Sequence, residues 1–271
     1  MAGTTVPLPP AEAAPAMNIA RRFGGIDRLH GSGALARHTE GHVCVVGIGG
    51  VGSWAAEALA RSGVGKLTLI DLDHVAESNI NRQAQATDNT LGQAKVSAMA
   101  TRIHGINPAC KVREIDEFVT EENLVSLLTP DCDVVIDAID QVRAKVAMIA
   151  HCKQQAIPIV VAGGAGGKSE PSAIRIDDLA RTVQDPLLSR VRAQLRKNHG
   201  FTRKAGSRFG IPVVFSSEPL QSPVAGDVCH TVGEAGSGLN CAGYGSSVCI
   251  TASFGFFAAS LAMQLLRERE R

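Results

Sequence analysis

Two cationic side chains follow a glycine-rich turn in this sequence. The turn is "GIGGVG", residues 47–52, and Arg82 follows it in "NINRQ" and Lys95 in "GQAK". Fixed cations that converge on a phosphate-binding turn stabilise the negative charge of a departing pyrophosphate. The pattern therefore favours a nucleoside triphosphate over a dinucleotide, whose single pyrophosphate is cradled by backbone.

The glycine turn itself indicates an adenine nucleotide. Gly47 and Gly49 permit a tight turn and a close approach of the backbone, and Gly52 lets the following helix pack on the preceding strand. The amide N–H groups at 49–53 then face a phosphate at a helix N-terminus, where the partial positive charge favours an anion. Asp71 lies nineteen residues after Gly52, at the end of the next predicted strand, where a carboxylate accepts hydrogen bonds from ribose hydroxyls.

Further polar residues extend the candidate site. Asn79 and Gln83 flank Arg82 just past the ribose acid, and "DAID" supplies Asp137 and Asp140. These two acids fall at the carboxyl end of a predicted parallel strand, which is the edge where doubly wound sheets bind ligands. Either acid could hold Mg²⁺ through its carboxylate oxygens. The set predicts a site for ATP and Mg²⁺.

The elements that position these residues alternate between strands and helices. A strand, a glycine turn, a helix and a second strand follow one another within thirty residues of "HVCVVGI" (42–48), which is a βαβ unit with parallel strands. We predict an α/β fold: a Rossmann-like doubly wound sheet, mostly parallel, with antiparallel strands in the C-terminal part. The predicted strands are 42–48, 66–71, 111–115, 133–140, 157–163, 172–178 and 210–217, and the predicted helices are 21–36, 51–63, 91–104, 121–128, 141–155 and 247–266.

Composition limits the class of protein. The 271 residues are 45% apolar with a formal charge of +1, which argues against wholesale electrostatic capture of nucleic acid. We predict a tail over 1–20, rich in Ala and Pro, and a single domain over 21–271. The seven cysteines are dispersed without a Cys-x-x-Cys pair, so we expect no zinc and a cytoplasmic location. Residues 247–266 carry no charge and are long enough to span a membrane, but their Ser, Thr, Gly and Gln content favours a buried core helix over membrane association.

The run from "GIGGVGSWAAEALARSG" through "DLDHVAESNINRQ" to "GQAK" and "VIDAID" closely resembles the ubiquitin-activating-enzyme-like adenylating proteins, which include the ThiF, MoeB and HesA activators. Within that superfamily, "RRFGGIDRLHG" (21–31), "GGAGGK" (163–168) and "TASFGF" (251–256) are similar to the bacterial tRNA threonylcarbamoyladenosine dehydratases. The resemblance covers about residues 20 to 266.

The resemblance implies roles for the site and a reaction. The carboxylate of threonylcarbamoyladenosine, next to the tRNA anticodon, would attack ATP and become a mixed anhydride, with an acyl-adenylate as the expected form. The ureido nitrogen or oxygen would then close a ring, with net loss of water. Whether ATP yields AMP or ADP is left open. By matching positions, Gly47, Gly49 and Gly50 would cradle the α-phosphate, Asp71 would bind the ribose, Asn79, Arg82 and Lys95 would contact phosphates, and Asp140 would hold Mg²⁺.

Partners are also implied. Relatives that activate small proteins carry an arginine that reaches into the partner subunit; the matching position here is Gly25, with Arg22 or Arg28 as substitutes, and a homodimer is expected. The segment 181–208 holds eight Arg or Lys against one Asp and is a candidate tRNA contact. Cys229 and Cys241 stand where other relatives use a reactive cysteine, so a sulfur-transfer protein is a candidate partner, although packing thiols are the commoner outcome.

Three alternatives stay open. The protein could adenylate the C-terminus of a small ubiquitin-like or sulfur-carrier protein, against which the missing zinc ligands and the basic segment count. It could be a nicotinamide dehydrogenase, but nothing in the chain supplies a hydride-transfer partner, so we expect no nicotinamide cofactor. It could be a non-catalytic scaffold, although Arg82, Lys95 and Asp140 are all present.

Overall fold

The computed structural model describes residues 18–221 and 244–269. Its seven-stranded sheet has the order β3-β2-β1-β4-β5-β7-β6. Six strands run parallel, and β6 pairs antiparallel with β7 at the C-terminal edge. The predicted fold class is confirmed. The strands are β1 His42–Val46, β2 Lys66–Ile70, β3 Lys111–Ile115, β4 Val134–Asp137, β5 Ile159–Ala162, β6 Ile174–Asp178 and β7 Pro212–Ser216.

Helices cover both faces of the sheet. One face packs against α4, α5 and α9, and the other against α6, α7 and α8. This two-sided burial explains why the central strands β1, β4 and β5 are buried along their whole length and form unbroken apolar runs in the sequence. The helices are α1 Ile19–Phe23, α2 Gly25–His30, α3 Ala34–Glu40, α4 Gly52–Arg61, α5 Lys95–Ile106, α6 Leu124–Leu127, α7 Val142–Gln154, α8 Pro186–Asn198 and α9 Val248–Glu268.

Several predicted boundaries were wrong. The single helix expected over 21–36 is three short helices. Gly31 and Gly33 separate the second from the third, because they adopt φ values of 90° and 84° that a right-handed helix cannot contain. The helix expected to begin at residue 91 begins at Lys95, and the helix expected over 121–128 is a single turn. All seven strands belong to one sheet; the division into a tail over 1–20 and one domain over 21–271 stays a prediction.

The sheet order places a crevice between β1 and β4. Chain connections leave these two neighbouring strands in opposite directions along the sheet, so the loops at their carboxyl ends separate and leave an opening. The glycine turn follows β1 and "DAID" ends β4, so both predicted motifs reach this opening.

Candidate active site

The glycine turn is packed too closely to admit side chains at two of its positions. Gly47 has a φ of 88°, and a Cβ there would lie 3.0 Å from the carbonyl oxygen of Ala138. A Cβ on Gly52 would lie 1.8 Å from the carbonyl oxygen of Gly47. The turn is therefore clamped between α4 and the end of β4.

Gly49 faces open space instead. A Cβ built on Gly49 would meet no atom within 4 Å, whereas one on Gly50 would meet Thr251 and Arg82 at 3.1–3.3 Å. An open backbone face at the start of a helix is where amide N–H groups bind a phosphate. The side chains of Thr251 and Arg82 form the wall beside it.

Asp71 is tied to the turn that it was predicted to serve. Its two carboxylate oxygens accept hydrogen bonds from the backbone N–H of Ile48 at 2.6 Å and of Asp73 at 2.9 Å. Burial raises the pKa of Asp71, and the positive charge of Lys95 opposes that rise. The side chain is half-buried at the end of β2, and each carboxylate oxygen has a second lone pair for a ribose hydroxyl.

Lys95 is the first residue of α5 and is held by Asp73. Its Nζ donates to Asp73 Oδ2 at 2.6 Å, and its backbone N–H donates to the Asp73 carbonyl at 2.9 Å. The Lys95 side chain is nearly buried, while that of Asp73 is about half exposed. Asp73 was not among the predicted site residues, although it stands two residues after Asp71 in "DLDH".

Arg82 lies on the wall of the site with its backbone fixed. Its carbonyl oxygen accepts from Trp54 Nε1 at 2.9 Å, and its Nη1 donates to the Ser78 carbonyl at 2.7 Å and to Asn81 Oδ1 at 2.9 Å. The contacts leave the guanidinium half-exposed beside the glycine turn.

Asn79 and Gln83 are both buried, and the side chain of each forms hydrogen bonds within the protein. Asn79 Oδ1 accepts from the N–H of Ala76, which caps the short helical turn before Arg82. Gln83 Oε1 accepts from Gln85 Nε2, and the same Gln85 nitrogen donates to the Ile48 carbonyl at 2.9 Å. The side chain of Gln85 thus joins this loop to the glycine turn. Its position in "RQAQ", two residues after Gln83, is the one sequence signal that could have indicated it.

Asp140 and Asp137 occupy different environments. Asp140 is half-buried beyond the end of β4; burial raises its pKa, the negative charge of Asp73 adds to the rise, and Lys145 and Lys95 oppose it. Asp137 is fully buried and forms a 2.7 Å ion pair with Lys145 Nζ, which is fully buried as well. Asp140 therefore lies beside the crevice at the end of β4, whereas Asp137 is buried beneath the crevice.

The residues at this edge fit the predicted ligands. The open amides at Gly49 suit a phosphate, and Asp71 suits a ribose. The negative charge of Asp73 raises the pKa of Asp140, an effect that a hard divalent cation with oxygen ligands such as Mg²⁺ would relieve. The individual ligand roles of the predicted residues stay predictions.

A second polar cluster lies at the amino ends of the parallel strands, opposite the glycine turn. Ligand-type atoms of His42, Asp131 and Cys132 lie within 4.8 Å of one another. His42 Nε2 is 2.8 Å from Thr68 Oγ1 and Nδ1 is 3.0 Å from the Asp131 carbonyl, so both ring nitrogens are already engaged. Cys229 and Cys241 lie outside the described residues; among the described cysteines only Cys249 is exposed.

Similarity to known proteins extends over almost the whole chain. A profile of the ThiF family matches residues 25–269, and the chain belongs to that family. It is 47% identical over 254 residues to the tRNA threonylcarbamoyladenosine dehydratase of Haemophilus influenzae, covering 93% of this chain and 96% of that protein. The chain thus groups with the tRNA threonylcarbamoyladenosine dehydratases of the ThiF family.

Solved structures agree. The Escherichia coli tRNA N6-threonylcarbamoyladenosine dehydratase in complex with ATP has a TM-score of 0.82 and 44% identity, covering 92% of this chain and 94% of that chain. The same enzyme in complex with AMP has a TM-score of 0.81. By contrast, 35% identity to the molybdopterin-synthase adenylyltransferase of Escherichia coli covers 45% of this chain and 48% of that protein. The alternative of a protein-activating enzyme is therefore a distant relationship.

Proposed function

We propose that this protein uses ATP to dehydrate threonylcarbamoyladenosine in tRNA. A carboxylate is a poor electrophile, so the first step converts it into an acyl-adenylate: a substrate carboxylate oxygen bonds to the α-phosphorus and pyrophosphate leaves. In the second step the ureido nitrogen or oxygen attacks the activated carbonyl carbon, a ureido N–H gives up its proton, and AMP leaves with the former carboxylate oxygen. ATP thereby removes the elements of water.

One observation carries this proposal: Lys95 and Asp73 form an ion pair, and the charges of both act on Asp140, at the same ends of the strands as the open glycine turn. Lys95, released from Asp73, and Arg82 would stabilise the charge that develops on the departing pyrophosphate. Asp71 would orient the ribose, and Asn79 would support the loop carrying Arg82. Mg²⁺ held by Asp140 would supply positive charge over the phosphates.

The direct test is a reaction of purified protein with ATP, Mg²⁺ and tRNA carrying threonylcarbamoyladenosine. Nucleoside mass spectrometry should find the modified nucleoside lighter by one water, and nucleotide chromatography should find AMP. Asp140→Asn should slow the change sharply at limiting Mg²⁺, and tRNA without the threonylcarbamoyl group should support none. ATP turnover stimulated by a sulfur-carrier protein in place of tRNA would contradict the proposal.

The tRNA contact is assigned to a basic surface along α8 and the loop after it. Residues 186–217 contain no acid, and none of the exposed cations there forms an ion pair with an acid in the described chain. Asp185 caps α8 and accepts from the N–H of Gly164 at 2.9 Å, which fixes the helix start at the carboxyl end of β5. From there the 13 residues of α8 run about 20 Å along one face of the sheet, toward the loop that precedes β7. The exposed members are Arg190, Lys197, Arg203, Lys204 and Arg208.

A homodimer through the outer face of α9 is the proposed assembly. Phe256 and Phe257 are 48% and 39% exposed on this helix, and the Phe256 ring contacts Trp54 edge-on with centroids 5.9 Å apart. Exposed aromatic side chains of this kind are enriched in protein interfaces.

Of the two candidate arginines for reaching a partner site, Arg22 donates to the Ile106 carbonyl at 2.8 Å, which leaves Arg28 as the proposed one. Sedimentation of Phe256→Glu against Phe118→Glu, an exposed residue elsewhere, tests the interface: only the first should be monomeric.

The same helix raises the question of a membrane. The most apolar 18-residue stretch of α9 has a mean hydropathy of 1.7, and the helix is long enough to cross a bilayer, but 44% of that stretch is buried within the fold. Its packing against α4 and four strands supports a core role and the proposed cytoplasmic location. Fractionation of cells should leave the protein in the supernatant; recovery with membranes would contradict this assignment. A sulfur-transfer partner stays a prediction.

A further inference from the structure

A fully buried ion pair lies beneath the candidate active site. Lys145, on the second turn of α7, reaches Asp137 at the end of β4 with 2.7 Å between Nζ and Oδ1, and neither side chain is exposed. Removing two charges from water costs several kcal/mol per ion, and an apolar pair of similar volume often stabilises a fold equally well. Stability alone therefore does not account for this pair.

The pair is attached to the turn that carries Asp140. Asp137 Oδ1 also accepts from the backbone N–H of Ile139 at 3.3 Å, and Lys145 Nζ lies 3.4 Å from the Asp137 carbonyl oxygen. The backbone N–H of Ala138 donates to Val46 at 2.8 Å, which joins the same turn to the end of β1. Residues 138–140 therefore leave β4 along a path that the carboxylate of Asp137 helps to fix.

Lys145 compensates for the burial of the Asp137 carboxylate. Its other oxygen, Oδ2, is buried without a hydrogen-bond partner among the described residues. Hydrogen bonds to Oδ1 and the charge of Lys145 are what compensate its burial. The charge of Lys145 also acts on Asp140 and on Asp185, so this one buried cation serves three carboxylates around the ends of β4 and β5.

We propose that Lys145 is a positioning residue that acts through Asp137 to set the place of Asp140. The proposal rests on the function proposed above, in which Asp140 holds Mg²⁺. Lys145 has no route to the ligands itself, since it is fully buried. Its contribution is to hold the 138–140 turn so that the Asp140 carboxylate meets the metal and the triphosphate together.

The test compares Lys145→Met with the double variant Asp137→Asn/Lys145→Met. The single variant leaves a buried carboxylate unpaired and should be less stable, whereas the double variant removes both charges and should regain thermal stability. Three quantities are measured for each: the melting temperature, kcat for ATP turnover, and the Mg²⁺ concentration giving half-maximal rate. A misplacement of about 1 Å costs up to about 10²-fold in rate, and we expect reductions of that order in kcat for both variants.

The Mg²⁺ dependence separates positioning from a structural role. The double variant should require about tenfold more Mg²⁺ than the wild type, equivalent to ~1.4 kcal/mol of metal binding, with an unchanged KM for ATP at saturating Mg²⁺. A double variant that recovers stability, kcat and the Mg²⁺ requirement together overturns the proposal. Arg143→Met is the matched control, because Arg143 lies on the exposed face of α7 and should change none of the three quantities.

Two further variants make the outcome decisive. Asp137→Asn alone keeps the size of the side chain but removes the charge that pairs with Lys145, so it serves if the other variants do not fold; a wild-type Mg²⁺ requirement in it would overturn the proposal. Asp140→Asn must itself raise the Mg²⁺ requirement. If it does not, the proposed role of Asp140 fails; if it does while the double variant behaves as wild type, only the positioning role of Lys145 fails.

Discussion

In the proposed function, Lys95 is the side chain whose hydrogen bonding changes when a triphosphate binds. It is held at 2.6 Å by Asp73, and the proposed function requires it to turn to the phosphates. Lys95→Ala should therefore lower ATP turnover by about 10²–10³-fold, the usual reduction on removing a preorganised charge-stabilising donor. The melting temperature should change little, because the partner Asp73 is half exposed and such pairs contribute about 1 kcal/mol or less. Turnover close to that of Lys111→Ala, an exposed lysine at the opposite edge, would contradict the assignment.

Spacing in the sequence pointed to Asp71, Lys95 and Asp140, because each of them follows a strand or begins a helix at the carboxyl ends of the parallel strands. Lys145 was missed, although it stands three residues after Val142 and four before Ile149, on the apolar stripe of α7. Helical periodicity could have found it as a lysine at a core position. Its partner could not be found this way, since the approach of α7 to β4 is a tertiary interaction.

The glycine turn is the proposed phosphate-binding element, and substitutions at two of its glycines should have different effects. Gly52→Ala places a methyl group against the Gly47 carbonyl and should lower the free energy of unfolding by about 1–3 kcal/mol, as overpacking does. The methyl group of Gly49→Ala meets no other atom, so this variant should unfold as the wild type does, but the methyl group would occupy the proposed phosphate space. Weakening by about 1.4 kcal/mol there is tenfold in the Kd for ATP. Thermal melting and ATP titration of both variants test this; ATP affinity unchanged in Gly49→Ala would place the phosphates elsewhere.

The elements were predictable where hydrophobic runs and glycines agree, as in β1 and the turn after it. The strand predicted over 133–140 ends at Asp137, because the Asp137 carboxylate accepts from the N–H of Ile139 and turns the chain away. This hydrogen bond depends on a side chain, which a pattern of apolar residues does not contain. The helix expected over 121–128 is shorter for a related reason: Asn123 Oδ1 accepts from the N–H of Thr120 and holds a turn.

For the whole molecule, the basic surface predicts how tRNA binding responds to salt. Reversing the charge of Arg190, Lys197 and Arg203 should weaken binding and should flatten the slope of log K against log salt by roughly 0.7–0.9 for each phosphate that is no longer neutralised. Arg196 is left unchanged, because it donates to the Thr202 carbonyl and lies 5.2 Å from the Phe209 ring centroid, and its removal would disturb the loop. Lys111→Glu supplies the matched charge change away from this surface. Equal salt slopes for the triple variant and the control would exclude this surface as the tRNA-binding face.

Activation of the substrate carboxylate as an adenylate is tested most directly by following that carboxylate's oxygen. tRNA would be prepared with threonine whose carboxylate carries heavy oxygen, converted with ATP and Mg²⁺, and the nucleotides analysed by mass spectrometry. We predict one heavy oxygen in AMP and none in pyrophosphate for each nucleoside dehydrated. Heavy oxygen in inorganic phosphate, or in no product of ATP, would contradict the adenylate.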